Sequence, residues 1–517
     1  IGTTMSQVNN KSSQTSVQSR TSNTDDSWLE RRFKISQRGS TVAREVRGGL
    51  VTFFAMAYII ALNPLIIGTA TDKDGLLISG APKFTDAAMT QVDNLAVGAS
   101  IGMVAAGTAL VAGIMTVLMG FFGRFPIGVA AGLGLNALVA YTLAPMMTWP
   151  QAMGLVVWEG IITTLLVLTG FRTAVFKAVP ASIRTAISVG IGLFIAFVGL
   201  INAGIIRKPE GAPPVELGVG GSLDGWPILV FIIGLLLLVA LYVRKVRGAM
   251  LISILVATAL AIVIEWVGKI GSGADNPTGW ELNVPELGSF ALPDLSLLGR
   301  VDMIGAFFND GKFSWVNFIT LLILVFSLLL ADFFDTMGTV VAVGTEGGLL
   351  NDEGLPEHLD GILLVDSLGA VTGGLAGVSS NTSFVESTTG VGEGARTGLA
   401  SIVTGVAFLL AVVLAPVINM VPSEAASPVL VFVGFLMLSQ VAGIEWNKLE
   451  FGIPAFLTII MMPFSYSIST GIGFGFISYV FISIVLRRSK KTHPLMYVVA
   501  GVFVIYFLQA PLIQLIS

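Results

Sequence analysis

Apolar stretches long enough to cross a bilayer follow one another from Gly48 to the C-terminus, divided by polar or charged connections. A membrane helix needs about 20 predominantly apolar residues. By that criterion the pattern predicts spans over 48–69, 97–121, 127–145, 151–170, 182–204, 226–243, 248–268, 315–343, 361–377, 380–394, 398–420, 427–443, 453–465 and 469–486. The third and tenth are short and polar. The third holds Gly132, Gly134 and Asn136; in and beside the tenth stand Ser379, Ser380, Asn381, Thr382, Ser383 and Glu386. Short interrupted segments at matching positions of two halves mark a transporter site built from broken helices near the midplane. A weak internal echo agrees: Val179-Pro180 precede a helix ending Ala203-Gly204-Ile205, and Val421-Pro422 precede one ending Ala442-Gly443-Ile444. Because seven is odd, two halves of seven spans sit in the membrane with opposite orientation, an inverted repeat.

Composition narrows the class without changing this outline. The 517 residues are 54% hydrophobic and 12% charged, against roughly 25% charged in an ordinary soluble protein. This is an all-α polytopic membrane protein, and its sixty glycines point to close helix packing and interrupted helices, not to a barrel. The divisions expected are a polar disordered cytoplasmic tail over 1–30, a first seven-helix repeat over 31–268, an extracytoplasmic loop over 269–314, a second repeat over 315–490 and an extra apolar segment over 491–517 that crosses the membrane or lies in its interface. Arg31, Arg32, Lys34, Arg38, Arg44 and Arg47 crowd the entrance to the first span, which by the positive-inside bias puts the N-terminus in the cytoplasm. With no Cys and only His358 and His493, a thiolate nucleophile or a His-rich metal centre is excluded, and no basic footprint for nucleic acid is present.

The candidate chemistry lies in the acids at membrane depth. The uncharged run from Trp315 to Ala331 ends in Asp332 and Asp335, three residues apart on one helix face, with Thr336 and Thr339 beyond. An ionised Asp at the middle of a membrane helix costs about 2.5–3.5 kcal/mol on insertion scales, so such acids face a cavity, a partner or a ligand. Glu386 in the tenth span is the third. A carboxylate accepts N–H groups and an amide such as Asn136 both donates and accepts, so these side chains suit a polar ligand. Phe333 and Phe384 offer faces for stacking, or else pack the core. Ser383 supplies a hydroxyl, Asn381 and its Ser/Thr neighbours support the half-helix, and Asp335 reads as structural support for the site, bonding Thr339 one turn on or capping facing backbone. Glu159 and Asp366, also within spans, read as packing or gating contacts before substrate ligands.

The segments Asp332–Thr339 (DFFDTMGT) and Asn381–Gly398 (NTSFVESTTGVGEGARTG) resemble the AzgA-like branch of the nucleobase-cation symporter-2 family, whose members are hypoxanthine, guanine and adenine permeases. Thr52–Pro64 (TFFAMAYIIALNP), Gly132–Tyr141 (GLGLNALVAY), Glu159–Ile161 and Ile183–Gly204 are similar too, so the resemblance runs from about residue 30 to 490. One departure is Ala130-Ala131, where many relatives carry Pro before the Gly-x-Gly.

That resemblance implies about fourteen transmembrane helices in a 7+7 inverted repeat, half-helices with short extended segments at spans 3 and 10, a core domain of spans 1–4 and 8–11, and a gate domain of spans 5–7 and 12–14. It also implies a homodimer through the gate domain and proton symport of a purine nucleobase, with no cofactor besides the co-transported proton. Carried over, the substrate positions are Asn136, Asp332 and Glu386, with Asp335 close by. A neutral base cannot be concentrated by voltage, so a group must titrate during the cycle; with no histidine in a span, Asp332 and Glu386 are the candidates. The alternatives are a carrier for uracil, xanthine or ascorbate, and, from other classes, a channel or an intramembrane enzyme.

Overall fold

The computed structural model describes residues 28–86, 91–169, 178–209, 214–273, 276–285, 292–309, 312–351, 355–487 and 492–508. Ten helices among them are long and apolar enough to cross a membrane. With the shorter ones they form the fourteen-span succession that the hydropathy pattern predicts. The first repeat runs Val42–Met56 with Ile59–Ile67 (span 1), Asn94–Leu118 (span 2), Leu133–Leu138 (half-helix of span 3), Trp149–Leu168, Ala181–Asn202, Trp226–Val243 and Ala249–Gly268. The second runs Trp315–Gly347 (span 8), Leu359–Leu375 (span 9), Ser387–Gly392 (half-helix of span 10), Gly398–Ala411, Ser423–Leu438, Leu449–Phe464 and Ile468–Val485.

The ends are set by local chemistry. Thr41 begins span 1 by accepting from the Arg44 amide, and Asp93 begins span 2 by accepting from the amides of Leu95 and Ala96. Span 8 stops at Gly348, whose φ of 61° is left-handed backbone that glycine adopts without strain.

At both termini the structure refines the expected boundaries. The tail expected to reach residue 30 gives way at Trp28 to a short helix, Trp28–Phe33, and Phe33 and Ile35 pack against Leu399; residues 1–27 lie outside those described. Beyond span 14 the helix Pro494–Phe507 lays Phe503 against Phe476. Its 14 residues extend about 21 Å, short of the roughly 30 Å hydrocarbon core. The rest of that apolar segment, 509–517, is not among the described residues.

The centre of the molecule is two extended segments, β1 (Val129–Ala131) in span 3 and β2 (Asn381–Ser383) in span 10, paired antiparallel with Val129 opposite Ser383 and Ala131 opposite Asn381. Irregular backbone at this depth needs every group satisfied. The strands satisfy each other, Gly132 N–H donates to Ser380 O at 3.0 Å, Phe384 N–H to Gly128 O at 2.9 Å, and Thr116 Oγ1 bonds both N and O of Val129 at 2.9 Å. Ala130 and Ala131 thus begin the third span as strand, with both side chains buried.

Spans 2 and 11 approach closely enough to need glycine on both sides. A Cβ at Gly398 would stand 2.1 Å from Gly120 O, and one at Gly405 2.6 Å from Gly113 O. The two pairs are seven residues apart on antiparallel helices, a small-residue seam like those that bring membrane helices together. Gly398→Val is therefore expected to lose most of the folded protein from the membrane, read by fluorescence-detected size-exclusion chromatography. A wild-type elution profile and yield would show that the seam opens without cost.

Candidate functional site

Span 8 sorts its polar residues by helical rotation of about 100° per residue. Ala331, Asp335, Gly338, Thr339 and Ala342 form one stripe that lines a cavity of about 1000 Å³. Asp332 and Thr336 form the next stripe and are fully buried, Thr336 against Asp366 of span 9 and Thr382 of β2. The expected order of the two aspartates is thereby exchanged: Asp335 reaches the cavity, and Asp332, expected as a wall of the site, lies behind it. Being three residues apart leaves them some 60° out of line, enough for the edge of the cavity to fall between them.

Opposite span 8, span 10 brings Ser383, Phe384 and Glu386 to the same cavity. Glu386 stands where β2 turns into the half-helix, and its Oε1 accepts from the hydroxyl of Tyr58 at 2.5 Å. Tyr58 also lines the cavity. It sits at the break between the two helices of span 1, Val42–Met56 and Ile59–Ile67, where Ile60 and Ala61 donate three residues back to Ala57 and Tyr58 in place of regular helical bonding. Sequence reasoning quoted this segment without giving Tyr58 a role; its partner is 328 residues away, and only its membrane depth beside the Asn63-Pro64 pair hinted at it.

The remaining expected residues form the support. Asn136 is fully buried and donates from Nδ2 to Asn63 Oδ1 at 2.9 Å; Asn63 in turn donates to Thr108 Oγ1 and Val378 O, tying spans 1, 2 and 3 to the connection that leads into span 10. Asn136 does not reach the cavity, whose wall from span 3 is Gly132–Leu135. Asp366 of span 9 binds the core of β2: its Oδ1 accepts from the amide and hydroxyl of Ser383 at 3.0 and 2.8 Å, and its Oδ2 from Thr336 Oγ1 at 2.7 Å. Thr336 also meets Thr382 Oγ1 at 2.8 Å. Glu159 accepts from Ser380 and Thr163 hydroxyls. Asn381 is buried beside span 9, and Phe333 is buried at 2% exposure, whereas Phe384, also buried, is one of the residues that line the cavity.

The far wall is apolar with three polar points, Ser188, Ser439 and Gln440: Ile191, Ile195 and Ser188 come from the fifth span, and Val433, Met437, Ser439 and Gln440 from the twelfth and its extension. The cavity extends to the Lys245–Gly248 turn between the sixth and seventh spans. At that rim Glu393 is held by Arg47 at 3.0 Å and by Arg247. On the opposite face Arg207 pairs with Glu281 at 2.8 Å and the Glu281 amide donates to Glu424 at 2.7 Å. Burial pushes the Glu281 carboxyl up, opposed by Arg207 and Lys83. The site is thus a cavity with two carboxylates and a phenol on one side, aliphatic surface on the other and ionic contacts on both faces. Such a lining accepts N–H groups from a flat, largely uncharged molecule while burying its faces.

Comparison with known proteins agrees with this architecture. The model of a permease family (Xan_ur_permease) matches residues 87–474. The guanine/hypoxanthine permease PbuG of Bacillus subtilis is 36% identical over 483 residues, 92% of this chain and 98% of that protein. The adenine permease AdeP of Escherichia coli is 34% identical, with 95% and 98% covered. Among solved structures, the transmembrane domain of the cyanobacterial bicarbonate transporter BicA superposes with a TM-score of 0.56 at 15% identity, covering 83% of this chain and 96% of that one. SLC26A9 gives 0.57 at 13% identity, with 90% and 68% covered. These two share the fold, with its core and gate arrangement.

Proposed function

The chain belongs to the permease family, and we propose that it carries purine nucleobases (hypoxanthine, guanine or adenine) into the cell by proton-coupled alternating access. The observation that carries this reading is the meeting of Glu386 and Asp335 at one cavity that Phe384 also lines, against an aliphatic wall. A purine offers N–H donors on its edges and apolar faces above and below, and both find partners there. The names of relatives 31–36% identical, guanine/hypoxanthine permeases and adenine permeases, support the same substrate class.

In this proposal the core comprises spans 1–4 and 8–11, the gate spans 5–7 and 12–14, and the site lies on the core surface facing the gate. The N-terminus is cytoplasmic in an inner membrane, so the open rim at Lys245–Gly248 faces the cytoplasm and the Arg207–Glu281 pair the outside. Rocking of the core against the gate exchanges the two closures. Glu386 is a substrate ligand and proton carrier, Asp335 shares the cavity, and Asp332 with Asn136 supports the half-helices from behind. A second copy docks through the gate domain. Uptake of labelled hypoxanthine, guanine and adenine into proteoliposomes with an acidic exterior tests the reading. Accumulation above equilibrium that a protonophore abolishes is expected. Uptake indifferent to the protonophore would overturn proton coupling, and transport of uracil, xanthine or ascorbate in place of all three purines would overturn the substrate.

A further inference from the structure

Glu386 does not meet the cavity with two open oxygens. Its Oε1 is taken by Tyr58 O–H at 2.5 Å. Tyr58 is fixed there: it is 1% exposed and sits at the N-terminal edge of Ile59–Ile67. A carboxylate with both oxygens open pairs best with two adjacent donors, as a guanidinium shows, whereas an oxygen that already accepts from a phenol keeps a second lone pair but is a weaker and more crowded acceptor. We infer that Tyr58 is a specificity-determining, positioning residue that weakens Glu386 as an acceptor for a second N–H donor of the substrate. The inference rests on the purine reading of this site.

The purines differ in the count that matters. Guanine carries ring N1–H and the exocyclic amino group side by side, a two-donor edge matching an open carboxylate. Hypoxanthine offers N1–H next to a C–H, and adenine an amino group next to ring acceptors. With Tyr58 in place the second donor of guanine meets an oxygen that already accepts the phenol, so guanine gains less over hypoxanthine at Glu386 than it would at an open carboxylate. Removing the phenol O–H while keeping the ring opens that oxygen, and the second donor gains a charge-assisted partner.

The test is Tyr58→Phe, assayed by KM for guanine and hypoxanthine in proteoliposomes alongside wild type. The ratio KM(hypoxanthine)/KM(guanine) is expected to rise severalfold, a part of the about tenfold that a whole added hydrogen bond to a charged group yields. Absolute uptake of both bases falls in the variant, since Glu386 loses a partner; the ratio is insensitive to how much protein survives. An unchanged ratio would overturn the inference, as would a fall in the guanine preference. Should the variant transport too slowly to assay, thermal stabilisation of the purified protein by each base reads the same ratio through binding. Wild-type protein that carries neither base would instead overturn the purine reading itself, a result separable from failure of the ratio.

Discussion

Glu386→Gln is expected to lower purine uptake by about 100-fold while leaving the protein in the membrane at its normal level. The substitution keeps size and shape, and the amide oxygen still accepts from Tyr58, so the junction of β2 and the half-helix holds. What is lost is the charge. A hydrogen bond to an ionised acceptor contributes about 1.5–3 kcal/mol, against roughly 1 for a neutral one. An amide also cannot take up and release a proton during the cycle, so the coupling step disappears with the affinity. The measurement is initial uptake of labelled hypoxanthine in cells with protein quantified by immunoblot, together with counterflow, which needs substrate exchange and no net proton movement. Loss of both places Glu386 at the substrate; loss of net uptake with counterflow retained assigns it to the proton alone. Wild-type values for both would remove it from the site.

The same geometry explains how far the sequence could be read. The succession of spans follows from bilayer thickness acting on apolar runs, a constraint strong enough to emerge from hydropathy alone. The broken third and tenth spans were legible for a related reason: Gly132, Gly134 and the Ser379–Ser383 tract cannot sit in lipid as plain helix, so their polarity announces a paired interior. The choice between Asp332 and Asp335 was not legible from the acids themselves. A separation of three residues tells that they share a broad face and leaves open where the cavity edge crosses it. The stripes around them held the missing information: Asp335 stands among Ala331, Gly338 and Ala342, small residues that leave room, while Asp332 is followed one turn on by Thr336 and then by Val340 and Val343, which fill space. Tyr58 and Asn63 lay beyond reach for a different reason. Their partners come from the other end of the chain, and no local pattern records a pairing that only the crossing of span 1 with spans 3 and 10 creates.

Asp366 separates a structural acid from a functional one, and its two substitutions are expected to behave differently. Asp366→Ala leaves the Ser383 amide and the Ser383 hydroxyl without their acceptor in a buried site and Thr336 with Thr382 as its remaining partner. Each orphaned donor costs about 1–3 kcal/mol, and because these contacts hold β2 against spans 8 and 9 the loss falls on the segment that aims Glu386. A fall in Tm of roughly 5–10 °C and near-complete loss of uptake are expected together. Asp366→Asn keeps one oxygen for both Ser383 donors. Its amide nitrogen faces Thr336, whose hydroxyl turns to accept from it and donates instead to Thr382, 2.8 Å away. The network closes again with one rotor reversed, so the Asn variant is expected to fall by no more than a few degrees and to keep proton-driven uptake. Differential scanning fluorimetry and uptake at matched protein levels decide it. If the Asn variant folds as well as wild type yet no longer accumulates purine, the charge of Asp366 itself takes part in coupling, and the proton passes through this network as well as through Glu386.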